Sequence, residues 1–391
     1  MAGGVGRGMR RWVAAVLVAA LAGATANAAG QVADDHILFG QSAALSGPAA
    51  ELGVEMERGI RAAFLEANAA GGVGGRELRL ISRDDRYEPE AAIANTEALI
   101  HQDQVFAVIG SVGTPTSAAT QPITRAAGVP FIAPFSGAEF LRNPALDNVV
   151  NIRASYFEET ETIVDHLVRD AGVRRIAVLY QDDSYGRTGL AGVIGALERR
   201  DMTLAAAGTY LRNTTAVKTA LLSIKSANPD AIVIIGAYQP SAVFTQWARK
   251  LGIDALIVNI SFVGANALAA AMGPVGTGIY ISQVVPFPEG DSMPLLPQYR
   301  AALAAFEPEA EPGFVSLEGY LAGRLTIEVL RQLGPEPTRE AFLAKLREIG
   351  VFDIGGFILH YAPGDNRGSN QVFLTRIHAD GTVEPAEEMV R

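Results

Sequence analysis

Six short stretches hold the residues of this chain that are best placed to meet a small molecule. Each follows a compact apolar run. QSAALSGPAAELG (41–53) follows HILFG, GSVGTPTSAATQPI (110–123) follows VFAVI, and PFSGAEFLR (134–142) follows VPFIA. QDDSYG (181–186) follows RIAVLY, GAYQPS (236–241) follows AIVII, and SFVGAN (261–266) follows ALIVNI. They gather hydroxyls (Ser111, Thr114, Thr116, Ser136, Ser261), backbone amides beside glycine, and two aromatics, Tyr185 and Tyr238. Amides and hydroxyls at a helix start suit a carboxylate or another small anion. A tyrosine ring covers an apolar or cationic body and keeps a polar edge.

What the loops lack narrows the chemistry. None has the lysine of a G-x-x-x-x-G-K-[ST] phosphate loop or a G-x-G-x-x-G opening a helix. None has the G-x-S-x-G turn that presents a nucleophilic serine, and none contains a histidine to serve as its base. The five histidines, His36, His101, His166, His360 and His378, form no metal-spaced pair. The inventory is one for binding, with no catalytic residues, metal or cofactor expected. Plainer readings stand beside it. Gly113-Thr114-Pro115-Thr116 also reads as a helix cap with proline in the first turn. Tyr185 also reads as a packed loop aromatic, Leu52 as core, and Asp182 and Asp183 as a solvated acidic pair.

The apolar runs are rich in Val and Ile throughout, as strands buried on both faces are. Eight read as strands: the six above, with LRLIS (78–82) and GIYIS (278–282). Amphipathic segments lie between them at 53–70, 89–101, 157–171, 189–200, 241–252 and 315–334. This alternation predicts an α/β fold with parallel sheets. The pattern restarts near Ala154, after RNPALDN (142–148), so two smaller sheets are expected. In open parallel sheets ligands sit beyond the carboxyl ends of the strands, which is where the six loops fall.

The amino terminus carries Arg7, Arg10 and Arg11, then the apolar run WVAAVLVAALA (12–22), then Ala26-Asn27-Ala28. That order predicts a cleaved secretory signal peptide over 1–28 and hence export. With no cysteine in the chain, disulfides and thiolate metal sites are excluded, and no lipid-anchored variant is expected. The net charge is −10. Three of the 32 bases lie in the leader, leaving 29 against 42 acids, or −13. Such a surface makes nucleic acid a poor partner.

The order LSGPAAELG, ANAAGGVGGRELRLISRDD, VIGSVGTPTS, VPFIAP and QDDSYG resembles the type I periplasmic solute-binding proteins of ABC importers. More narrowly, it is similar to the branched-chain amino-acid (Leu/Ile/Val) binding proteins, over roughly 36–383. The resemblance implies two Rossmann-like lobes joined by three crossing segments, near 151–154, 282–286 and 349–352. Lobe one is then 34–153 plus 283–349, and lobe two 154–282 plus 350–391. It implies a monomer that captures a small amino-acid-like or carboxylate solute by hinge closure and delivers it to permease subunits in the inner membrane. A sensory ligand-binding subunit is the alternative, and a secreted hydrolase a weaker one. By position, the resemblance places the ligand carboxylate at Thr114, beside Gly113. The Phe135, Ser136 and Gly137 loop then offers backbone groups and a hydroxyl. Tyr185 and Tyr238 cover the ligand, and Leu52 stands where an aromatic often lines the side-chain pocket. Two departures are evident. Ser261 stands where the amino-acid receptors carry an acid that pairs with the ligand ammonium. Gly137 stands where they carry a hydroxyl residue. Another acid, Glu139 or Asp183, would have to serve an α-ammonium, or the ligand has none.

Overall fold

The computed structural model describes residues 1–3 and 32–390, so the expected leader falls almost wholly outside them. The chain first builds β1 (His36–Ala43), α1 (Ala50–Ala69), β2 (Glu77–Asp84), α2 (Pro89–His101), β3 (Ala107–Ile109), α3 (Thr114–Ala126), β4 (Phe131–Ile132) and β5 (Val149–Val150). Next come α4 (Tyr156–Arg169), β6 (Ile176–Gln181), α5 (Ser184–Glu198), β7 (Ala206–Tyr210), α6 (Lys218–Ser226), β8 (Ala231–Ile235), α7 (Tyr238–Lys250), β9 (Leu256–Asn259), α8 (Ala265–Met272) and β10 (Tyr280–Gln283). The last part holds α9 (Leu295–Phe306), α10 (Phe314–Arg331), α11 (Arg339–Ile349), β11 (Val351–Ile354), β12 (Phe357–His360), β13 (Phe373–Ile377) and β14 (Val383–Pro385).

The fold is α/β with two sheets built on one plan. The first runs β2-β1-β3-β4-β5, all parallel. The second runs β14-β13-β10-β9-β8-β6-β7. Its strands from β7 to β10 are parallel, and β13 and β14 add an antiparallel edge. In each sheet the first strand lies between the second and the third. The strand order therefore reverses between β1 and β3 and again between β6 and β8, and such reversals open the crevice where ligands sit. A small antiparallel hairpin, β11–β12, stands apart from both sheets.

Local chemistry explains most of these elements. All five residues of β8, AIVII, are buried, as in a central parallel strand. β7, AAGTY, alternates between covered and open positions and lies at the edge of its sheet, so it offers no apolar run. α4 begins with a reciprocal capping box: Ser155 Oγ accepts from the Glu158 amide, and the Glu158 carboxylate accepts from the Ser155 amide at 2.7 Å. This box starts the second helix–strand series just past Ala154.

The first sheet is covered on both faces. On one, Leu99, Ile100, Val105, Val108, Val129 and Phe131 form a small separate core. The other face joins the main core through α1. α10 docks on α1 through glycine. A Cβ on Gly59 would lie 1.8 Å from the Ser316 carbonyl oxygen, and one on Gly319 would lie 2.3 Å from that of Met56. The two helix backbones can approach only because both positions lack a side chain, and this approach seats Glu318 of α10 beside the cleft. Among the described residues no helix is long and apolar enough to cross a membrane.

Candidate ligand-binding cleft

The loops beyond β3 and β4 are stitched together past the strand ends. The Phe135 amide donates to the Ser111 carbonyl at 2.8 Å, and the Gly113 amide to the Phe135 carbonyl at 3.2 Å. Gly113 has φ +106°, and a Cβ there would lie 2.2 Å from the Tyr87 ring, so the position needs glycine twice over. Proline stands in the first turn of α3 and no side chain caps the helix. Thr114, in that first turn, is fully buried. Its hydroxyl lies 2.8 Å from Ser136 Oγ and 3.4 Å from Tyr156 Oη. Gly137 leaves room for Tyr156: a Cβ on it would lie 2.5 Å from that ring. A hydroxyl side chain in place of Gly137, as the resemblance implies for the amino-acid receptors, would therefore have no space beside Tyr156.

Rings from both sheets meet above these hydroxyls. Phe262, beyond β9, lies 5.3 Å from Phe135, 6.0 Å from Tyr87 and 4.5 Å from Tyr185. Tyr185 also lies 5.4 Å from Tyr156, and its hydroxyl donates to the Gly236 carbonyl at 3.4 Å. Thr114, Gly113, Phe135, Ser136, Gly137, Tyr185 and Ser261 thus come together where the strand ends of the two sheets meet. Leu52 and Tyr238 lie further out. They line a cavity of about 500 Å³ with Glu51, Glu55, Asn266 and Glu311. Leu52 there presses on Gly264, where a Cβ would lie 2.6 Å from its side chain.

The expected solvated pair of aspartates divides. Asp182 is exposed and pairs with Arg187 at 2.7 Å. Asp183 is buried, because its carboxylate caps α5 by accepting from the Tyr185 and Gly186 amides. It also accepts from Gln181 Nε2 at 2.7 Å and pairs with Arg212 at 3.2 Å. Neither Asp183 nor Glu139 takes the place of the acid missing at Ser261. That place falls to Glu159 of α4: its carboxylate accepts from the Ser261 amide and hydroxyl, both at 2.9 Å, and from Ser282 Oγ at 2.6 Å.

Arg153 occupies the centre, on the crossing segment between the sheets. It is 0 % exposed. Its guanidinium donates to Ser261 Oγ and lies 3.5 Å from Glu159 and 3.6 Å from Glu318. It stacks over Phe135, 4.6 Å from the ring centre. Burial works against its charge, but Glu318 and Glu159 outweigh that and hold it above its ordinary range. Glu318 is pushed up to about 7, by burial first and then by Glu159, against the pull of Arg153. Arg142 ties the loop beyond β4 to the segment leading into α4 by donating to the carbonyls of Ser136, Ala138, Arg153 and Ala154 at 2.8–3.3 Å. At the cleft rim Arg212, beyond β7, reaches Glu88, before α2, at 2.6 Å, and Asn213 adds a bond to Glu88 at 2.8 Å.

Sequence reasoning missed Arg153, Glu159, Glu318, Tyr156 and Phe262. Only the S-x-x-E start of α4 and the position of Arg153 where the pattern restarts could have drawn notice to the first two.

Two matching doubly wound halves bring hydroxyls and rings together between their strand ends, where ligands sit in folds of this plan. The comparisons with known proteins agree. The family model described as periplasmic binding protein matches residues 36–382, and the chain belongs to that family. A Leu/Ile/Val-binding protein homolog 7 of Brucella abortus is 27% identical over 338 residues, 83% of each chain. Among solved structures, a possible leucine/isoleucine/valine-binding protein from Rhodopirellula baltica is 38% identical with a TM-score of 0.86, covering 91% of this chain and 98% of its own. A substrate-binding periplasmic protein from Ralstonia solanacearum is 29% identical with a TM-score of 0.84, covering 90% of this chain and 100% of its own. The chain is therefore a binding protein of the type I periplasmic class, like the branched-chain amino-acid receptors, and not an enzyme.

Proposed function

We propose that this chain is the exported capture subunit of an ABC importer for a small organic acid or amino-acid-like solute. The leader over 1–28 directs it to the periplasm, where it works as a monomer and hands its cargo to inner-membrane permease subunits. The lobes are 34–153 plus 283–349 and 154–282 plus 350–391. Solute first meets Thr114 and the Phe135–Gly137 loop of lobe one. Lobe two then swings over it, carrying Tyr185 and Ser261, with Leu52 and Tyr238 at the outer edge. Closure excludes water and strengthens every polar contact inside.

The observation that carries this reading is the meeting of Phe262 with Phe135 and Tyr87. These rings come from different sheets and can bury each other only when the lobes are closed. The test combines two measurements on the mature chain. A thermal-shift panel of amino acids, amides and aliphatic and aromatic carboxylates finds a solute that raises the melting temperature, as a ligand of the folded state does. Small-angle scattering with that solute then gives a smaller radius of gyration than without it. A panel with no shift, or a bound solute that leaves the radius unchanged, overturns capture by closure.

A further inference from the structure

The inner cleft leaves buried polar atoms without partners on both sides: Arg153 Nε and Nη1 among the donors, and Glu318 Oε1 among the acceptors. Arg153 is wholly buried, yet its Nε and Nη1 have no hydrogen-bond partner. Leaving such a bond unmade is costly, most of all for a charged group. Thr114 and Ser136 bond to each other at 2.8 Å; Thr114 also reaches Tyr156 Oη at 3.4 Å, and Ser136 Oγ accepts from the Ala138 amide at 3.2 Å. Of the two carboxylates beside Arg153, Glu159 is engaged by hydrogen bonds, whereas Glu318 Oε1 makes none and meets the guanidinium only as an ion pair. Glu159 receives three hydrogen bonds, from Ser261 twice and Ser282 once, besides facing Arg153. Glu318 of α10, in Arg153's own lobe, faces the guanidinium at 3.6 Å. The chain's own arginine thus stands between the two carboxylates that could have held a ligand ammonium.

From this we infer that the inner cleft selects an organic carboxylate without an α-amino group, and that Arg153 is the residue that binds its carboxylate. The inference rests on the capture reading above, because the lobes must part before a solute can reach the guanidinium. When they part, Ser261 and Phe262 leave with the second sheet. Phe135 and Arg153 then present a ring and a forked cation side by side. Guanidinium matches a carboxylate with two parallel N–H···O bonds, and Phe135, Tyr156 and Tyr185 cover an apolar or aromatic body. A ligand ammonium would meet Arg153 as a like charge in a site cut off from water, at a cost of several kcal/mol.

Titration calorimetry of the mature chain with matched pairs tests this. 4-Methylpentanoate is compared with leucine, and 3-phenylpropanoate with phenylalanine. Each pair differs only in the α-ammonium. In at least one pair the acid without the ammonium binds tighter by about tenfold or more. Arg153→Met loses that binding. If that variant fails to fold, as judged by near-ultraviolet circular dichroism, Arg153→Lys serves instead, since it keeps the charge between Glu159 and Glu318 without the planar fork. It weakens the carboxylate by about tenfold. Tighter binding of the amino acid in the pairs, or wild-type affinity in the folded arginine variant, overturns the inference and leaves capture by closure standing. No binding by either member of either pair also overturns the inference. The broader thermal-shift panel and the scattering measurement then decide the capture reading separately.

Discussion

Replacing Glu318 with glutamine will flatten the pH dependence of folding stability. The carboxyl is 2 % exposed. The groups facing it are Arg153 on the crossing segment, Glu159 on α4, and Arg142 beyond β4. Burial dominates and holds it at about 7 against an ordinary 4.5. In the unfolded chain the group ionises near its ordinary value, so between these two values the folded state keeps a proton that the unfolded state has released. Stability from this source is fully present below the unfolded value and is lost as pH rises through the folded one. At 1.36 kcal/mol per decade the whole loss is about 3 kcal/mol, of which about 2.5 kcal/mol falls between pH ~5 and pH ~8. The assay is urea unfolding of both proteins at those two pH values. Asp85, which burial pushes up to about 6, bends both curves in the same direction and drops out of the comparison. Glu318→Gln keeps the shape and still presents an amide oxygen to Arg153. Parallel stability changes in the two proteins would refute the argument, because they would mean that Glu318 is ionised in the folded state at pH ~5.

Two further outcomes follow from the cleft. Thr114→Val keeps the side-chain shape but removes the hydroxyl that pairs with Ser136; it weakens the solute found in the panel by about tenfold in calorimetry, with a chain that stays folded. Arg212→Ala unlinks the rim contact with Glu88. For a half-exposed pair this is worth about 0.2–1 kcal/mol, so the dissociation constant rises only a few-fold, and the difference from wild type shrinks at about 1 M salt.

The parts of the fold that are buried on both faces were legible in the sequence. VFAVI, RIAVLY and AIVII read as strands because a central parallel strand needs an unbroken apolar run, and the loops after them were found by position alone. β7 was not legible: AAGTY is an edge strand with one open face. α3 was half legible, since Gly113-Thr114-Pro115 marked its start, while TSAATQPI gave no clear apolar stripe. Within the cleft, the hydroxyls and Tyr185 were accessible to reasoning from strand ends. Arg153, Glu159 and Glu318 were not. They come from a crossing segment, the first turns of one helix and the first turns of another, and nothing in the local sequence says that these three turn inward. Glu318 reaches the cleft only because Gly59 and Gly319 let two helices touch, a packing fact with no signature in the residues around Glu318.

The acid absent at Ser261 shows how a charge can be moved in sequence and changed in meaning. Glu159 lies far from Ser261 along the chain, but the capping box at Ser155 fixes the start of α4. The carboxylate one turn later therefore arrives beneath Ser261 and accepts from its amide and its hydroxyl. A carboxylate thus stands beneath Ser261, the position at which the resemblance to the amino-acid receptors implies an acid. It does not follow that the cleft holds an ammonium, because Arg153 has arrived with it. An acid free to pair with a ligand cation and an acid already paired with a buried guanidinium have opposite consequences for selectivity: the first attracts an ammonium, whereas the second supports a cation that repels one. The substitution at Ser261 and the arginine on the crossing segment are therefore one feature of the site, and a variant that restores the acid alone, Ser261→Glu, would add a third carboxylate to Arg153 rather than recreate an amino-acid receptor.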